Sequence, residues 1–325
     1  MIWLTWRQHR KQALFTLVAL GVLGAIMVPT GLAMHAKYDS LGLAACRAAL
    51  GSASLITESE AVARCDSLAH GFQQQFTSLT FVAVLFLVLP VLVGVFFGAP
   101  LVAREVEQGT HRLVWTQGVS RLHWALAKFG LIGAITAVLA VGYALGVSWW
   151  FQPLVSASTG RLTYISFDVQ GIVPIAYTLF ALALGVFAGT YWRKVLPAMG
   201  IAMAGFAAVR VAIEVFARPR YLPARTLSFF PSDKQTPNFA SGDWLMEQGV
   251  RDAAGKMVLP DAQIGTCPAG GCGSGPGQVG PGAYNWLKYQ PGDRFWTFQY
   301  IETGVFVLLT AALVYFAIRR VRTIA

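Results

Sequence analysis

Residues 104–128, REVEQGTHRLVWTQGVSRLHWALAK, decide how this chain is read. The segment is charged and punctuated by glycine. It sits between two apolar runs, 79–101 and 124–150, each long enough for a bilayer crossing, which takes roughly 20 mostly apolar residues. The pattern predicts a short joint on one side of a membrane, built as helix, break, helix, break, helix. Arg104, Glu105 and Glu107 carry the preceding helix out of the hydrocarbon, and Gly109 ends it, because glycine takes positive φ without a Cβ clash. Thr110 is placed to cap a new helix of two turns over 111–117; Gly118 ends that helix and Ser120 caps the next span. So short a helix does not persist alone in water, which makes Leu113, Val114 and Trp115 its expected contact with another surface. The plainer reading of the same residues is a solvated loop.

Composition sets the class around this joint. Of 325 residues 55 % are hydrophobic and 12 % charged, where a soluble globule carries about 25 % charged residues. Six segments have the length and apolarity of a span: 13–33, 79–101, 124–150, 172–191, 195–217 and 295–318. The expected fold is therefore an all-α membrane protein of six transmembrane helices, with an N-terminal interfacial helix and a loop-rich outer domain between helices five and six. Residues 1–217 hold helices one to five, the first outer loop (35–76) and the joint (104–121). Residues 218–294 form the outer domain, and 295–325 the sixth helix and its tail.

Lysine and arginine in short loops orient such a chain. With the N-terminus inside, twelve of them fall on the inner side and four (Lys37, Arg47, Arg64 and Arg161) in the short outer loops. Both termini are thus expected to be cytoplasmic, and the formal charge of +10 reflects this bias. No basic stripe interleaved with aromatics marks a nucleic-acid groove. Cys46, Cys65, Cys267 and Cys272 all fall outside, where disulfides persist. Three pairings are possible; Cys46 with Cys65 and Cys267 with Cys272 ask least of the fold, and four free thiols are the alternative.

The first residues, MIWLTWRQHRKQALF, set Trp3 and Trp6 beside Arg7, Arg10 and Lys11, the mix of a helix lying among headgroups. A positive-inside anchor and a cleaved signal peptide are the competing readings. Within the first outer loop, 52–68 is expected to form a short helix. Pro90 is placed to kink the second span. Glycines four apart, Gly94 and Gly98, Gly142 and Gly146, Gly185 and Gly189, line helix faces that admit close approach. Residues 218–294 are rich in glycine, proline and serine and are read as a small domain built on Trp244, Leu245, Trp286 and Tyr289, or as a solubilising linker.

No phosphate loop, H-E-x-x-H or G-x-S-x-G motif and no cluster of metal ligands is present, so the chain is read as no enzyme, with no metal and no cofactor of its own. The charges at depth are Arg210, Glu214 and Glu302. Arg210 and Glu302 fall at similar depth and are expected to pair, as a gate or a head-group contact, while Glu214 reaches water or shares the arginine.

At the joint the sequence resembles the membrane (permease) subunits of bacterial ABC exporters of the ABCG-like or type V class. Glu105, Glu107, Gly109, Thr110, Ser120, Arg121 and Lys128 stand where those proteins carry an acidic pair, a Gly-Thr, a Ser-Arg and a lysine entering the third helix. Gln117 and Gly118 depart from the pattern, which often has proline there. The resemblance implies a coupling helix that docks into an ATP-binding subunit, with Arg104, Glu105, Glu107, Gly109, Thr110, His111, Arg112, Leu113, Trp115, Ser120 and Arg121 as the coupling residues. It implies, too, that ATP and Mg are handled by that separate subunit, that a second permease copy completes a homodimer in the cell membrane, surrounded by lipid, and that a hydrophobic or amphipathic substrate is moved outward. A non-transporting sensor or assembly scaffold is the alternative. Mass mapping without reductant is expected to find Cys46 joined to Cys65 and Cys267 to Cys272; a bridge between the loops would overturn this.

Overall fold

The computed structural model describes residues 2–57, 59–110, 120–157, 160–192, 194–230, 233–238, 242–264 and 281–323. Among these, six helical stretches are long and apolar enough to cross a membrane. They are α1 (Ile2–Ser40), α3 (Glu60–Val93) continued by α4 (Ala99–Glu107), α5 (Arg121–Ala157), α7 (Val173–Tyr191), α8 (Val195–Ala212) and α9 (Phe295–Thr323). Two short helices, α2 (Leu43–Leu50) and α6 (Tyr164–Val169), lie between spans. The chain is an all-α, multi-pass membrane protein. Ile2, Glu107, Arg121 and Thr323 mark one end of the bundle, the joint end; the strands lie at the other, the sheet end.

Two expectations for the first third are corrected. Residues 2–40 form one helix of 39 residues, not an interfacial helix followed by a span. No glycine or proline falls between Lys11 and the apolar run, so nothing breaks the turn-to-turn hydrogen bonding there. Nor do residues 52–68 form one short helix: Leu55–Thr57 is a strand, β1, and the helix starting at Glu60 runs straight into the second span. Ser59 caps it by accepting the Val62 N–H at 3.3 Å. Cys46 and Cys65 are bonded as expected, joining α2 to α3.

One helix is central. In α7 78 % of the span is buried, against 39 % or less in the others, and it packs on α3, α4, α5, α8 and α9. Small residues set this. Past Pro90, five residues, Gly94–Gly98, wind as a π turn; Gly94 and Gly98 sit against Gly185 of α7, and Gly189, one turn on, against Ala99 and Ala103. A Cβ on Gly94 would overlap the Ala181 carbonyl oxygen, and one on Gly189 would lie 2.5 Å from that of Ala99. Gly142 and Gly146, by contrast, have nothing within 4 Å of a Cβ among the described residues. Two of the three glycine pairs thus lock one helix pair, and the third does not.

Residues 218–294 hold more regular structure than their composition promises. Strands β2 (Arg225–Phe229), β4 (Trp244–Arg251), β5 (Met257–Pro260) and β6 (Tyr284–Gln290) form an antiparallel sheet in the order β2-β6-β4-β5. A further strand, β3 (Gln235–Pro237), pairs with β1. Leu287 and Tyr289 alternate inward along β6, and Trp244 is buried. Leu245 is exposed and Trp286 half-buried, so only two of the four residues expected to build this domain lie in its core. The sheet is rooted in spans five and six: Gln290 Nε2 donates to the Leu222 carbonyl at 2.7 Å and Arg294 Nη1 to that of Pro223 at 2.7 Å. Cys267 and Cys272 lie outside the described residues.

Gly185→Ala is expected to cost about 1–3 kcal/mol, the usual penalty for overpacking, lowering the thermal midpoint in detergent. Gly142→Ala, without such a contact, should leave the midpoint unchanged or slightly raised.

Candidate functional site

The charges expected at depth do meet. Arg210 Nη1 lies 3.4 Å from Glu302 Oε1, joining spans five and six at the sheet end. Two further charges join them that the sequence reading had left in loops. Asp168, from α6, accepts from Arg210 Nη2 through Oδ2 and from Arg218 Nη2 through Oδ1, the latter at 2.6 Å. Arg218 grips Glu302 with two nitrogens, Nε to Oε2 at 2.9 Å and Nη2 to Oε1 at 2.8 Å, leaving its buried Nη1 without a hydrogen-bond partner among the described residues. Two arginines and two carboxylates make a formally neutral cluster. Arg218 and Glu302 are each 0 % exposed, so a missing partner would strand a charge.

The helix geometry explains how both arginines reach it. At 3.6 residues per turn, positions eight apart in an α-helix point about 80° apart. Residues Ile213–Ala217 wind as a π turn, which takes up one extra residue and returns Arg218 to the face of Arg210. Aromatic rings flank both guanidinium groups: Arg210 lies 3.9 Å from the Tyr177 ring centroid and Arg218 4.4 Å from that of Phe167. The Tyr177 hydroxyl bridges Asp168 and Glu302. Tyr221 donates to Glu302 Oε2 at 3.2 Å. Burial, and then the neighbouring Glu302 carboxylate, push the Tyr221 phenol above its ordinary value, so it keeps its proton. Glu214 is half-buried and takes no part in these hydrogen bonds.

One turn before Glu302, Gln299 completes the assembly. Its Oε1 accepts the Ile172 and Val173 N–H groups, both at 3.0 Å, capping the first turn of α7, whose leading donors have no partner within the helix. Its Nε2 donates to the Phe167 and Gln170 carbonyls at 3.0 and 3.2 Å, fixing α6 and hence Asp168. The i, i+3 spacing of Gln299 and Glu302 in an apolar span was the available signal. For Asp168 the only hint was an acid just before a span, and for Arg218 there was none without the π turn.

At the joint end, α4 finishes at Glu107, and Gly109 takes φ 69°, the left-handed ending expected of it. The Thr110 hydroxyl reaches back to the Glu105 carbonyl at 3.4 Å. Ser120 caps α5 as expected, its Oγ accepting the His123 N–H at 3.2 Å. Three ties bind the segment to other spans. Glu105 Oε1 accepts from Lys128 Nζ at 2.5 Å; Glu107 Oε2 accepts the Val195 N–H at 3.0 Å, at the start of α8; and Arg121 Nη1 donates to the Arg322 carbonyl at 3.1 Å, at the end of α9. Beneath them Leu101, Val102, Trp124, Val186 and Val321 pack as one apolar cluster. His111, Arg112, Leu113 and Trp115 lie outside the described residues, as does any helix they form. Arg104 is exposed.

Residues 17–218 match a family model described as ABC-2 membrane transporter related. No curated protein and no solved structure matches the chain.

Removing one member of a buried, paired cluster costs about 3–5 kcal/mol. Arg218→Ala is accordingly expected to destabilise the protein strongly, and Glu214→Gln only slightly, when unfolding midpoints are compared in one detergent. Deleting Val215, which takes the extra residue out of the π turn, should match Arg218→Ala, while Val215→Ala should leave the midpoint near wild type.

Proposed function

The chain belongs to the ABC-2 membrane transporter related family, and we propose that it is the membrane-spanning subunit of an ATP-driven exporter that moves a hydrophobic or amphipathic substrate out of the cell. Family membership implies an ABC ATP-binding partner subunit. ATP and Mg belong to that partner, and a second copy of this chain completes the pathway. The joint end is assigned to the cytoplasm on the positive-inside count. The paired charges of Arg210 and Glu302, with Glu214 beside them, then lie at the outer end, where they act as a gate or meet a substrate head group.

One observation carries this reading. Residues 104–110 are tied by Glu105 to span three and by Glu107 to the first amide of span five, so a force applied there reaches three spans at once. A solvated loop needs no such ties. Anchored at both edges, residues 111–119 are the segment on which the partner would dock.

Gly109 tests it. Among the described residues nothing lies within 4 Å of its Cβ position, and its left-handed backbone opposes a side chain by about 1–2 kcal/mol. Co-expressed with its ATP-binding partner subunit, Gly109→Val is expected to insert and fold normally while transport per ATP hydrolysed falls roughly tenfold, the equivalent of 1.4 kcal/mol. Unchanged coupling would sink the docking role. Failure of the wild-type chain to co-purify with any ATPase would sink the reading as a whole.

A further inference from the structure

The hydrogen bonds that fasten residues 235–238 to the segment between α2 and α3 land on residues 50–57, inside the loop that the Cys46–Cys65 bond closes. Asn238, 3 % exposed, donates its side-chain nitrogen to the carbonyls of Leu50, Gly51 and Ala53 at 3.4, 3.3 and 2.8 Å. Its backbone N–H goes to the Ser54 carbonyl at 2.9 Å. Next to it β3 pairs antiparallel with β1, Thr236 opposite Ile56.

The receiving residues have little to hold them in shape. Gly51 is left-handed at φ 70°, Ser52, Ala53 and Ser54 bring no large apolar side chain, and none of the three residues of β1 is buried. A ribbon of two short strands is marginal by itself. Order is imposed from the ends of the loop, by the disulfide and by Arg47, whose Nη1 donates to the Ser156 carbonyl. Both cysteines are half-buried, within reach of a small reductant.

We propose that the Cys46–Cys65 bond is a redox-sensitive latch: oxidised, it presents residues 50–57 in the shape that Asn238 and β3 grip, and reduced, it lets the strap go while the four-stranded sheet stays rooted in spans five and six. The reductant is a dithiol. One of its thiolates attacks a cysteine sulfur, releasing the other cysteine as a thiolate and giving a mixed disulfide; its second thiolate then attacks the reductant sulfur of that mixed disulfide, displacing the remaining cysteine thiolate and oxidising the reductant to its own disulfide. Two electrons and two protons thereby pass to Cys46 and Cys65, which leave as thiols. The latch is independent of what the protein transports.

The experiment is amide hydrogen exchange on the full chain in lipid nanodiscs, with Cys267→Ser and Cys272→Ser to leave one reducible pair, before and after dithiothreitol. Reduction is expected to speed exchange in peptides covering 54–57 and 235–238 by roughly a hundredfold or more, the order set by reopening a loop of this size, with β4 and β6 unchanged. Asn238→Ala, with the bond intact, should produce the same release. The proposal is overturned by a bond that resists dithiothreitol in the folded protein, by unchanged protection of both strands once mass mapping shows two thiols, by equal loss across β4 and β6, or by an Asn238→Ala protein as protected as wild type.

Discussion

The close approach of two helix backbones, at Gly94 and Gly98 on one side and Gly185 and Gly189 on the other, is the contact on which the bundle depends. Within a bilayer, lipid tails are as apolar as leucine, so burial of apolar surface gives no preference for helix over lipid. Close backbone packing and polar contacts supply the association instead. The glycines bring span two hard against α7, and this makes α7 the helix that the others surround. Its 78 % burial follows from small residues, since a larger side chain at any of the four positions would hold the two axes apart.

Polar groups then secure α7 at the sheet end and its neighbours at the joint end. At the sheet end Gln299 caps its first turn, and Tyr177 joins the cluster of Asp168, Arg210, Arg218 and Glu302. A charge at bilayer depth costs about 2.5–3.5 kcal/mol on insertion scales, and four together would be prohibitive unless each found its complement. They do so because α6 folds back beside α7 and presents Asp168, and because the π turn in span five brings Arg218 round. At the joint end, Glu107 ties the start of α8 to the end of α4. The central helix itself meets the paired charges at one end and, through Gly189 against Ala99 and Ala103, the last turns of span two at the other.

Much of this was legible in the residues, and what was not has physical causes. The six spans follow from apolar length, the Gly109 ending from its residue type, and the Arg210–Glu302 pair from depth along two antiparallel helices. Asp168 and Arg218 were not legible, because span-finding by apolar length stops at the first polar cluster, and here the polar cluster is buried. The sheet escaped notice for a related reason: Glu247, Gln248, Asn285 and Lys288 interrupt the strands, so no apolar alternation shows, although Asn285 is inward-facing and hydrogen-bonded to Ile264 at both N–H and C=O. The glycine pairs were visible but equivalent on paper. Only packing separates Gly185, locked against Gly94, from Gly142, whose Cβ position meets none of the described residues.

The second span has a mechanical side. From Glu60 to Glu107 the chain is helical without interruption, 34 residues on one side of the π turn and nine on the other. At 1.5 Å per residue these arms measure roughly 50 Å and 14 Å. Pinned against α7 at Gly94–Gly98, the two arms meet at a contact close to the joint, and leverage follows if they move as one body. A tilt that shifts Glu107 by one ångström displaces the disulfide-bonded hairpin at the far tip by three to four, in the opposite direction, so a small stroke at one membrane face is amplified at the other.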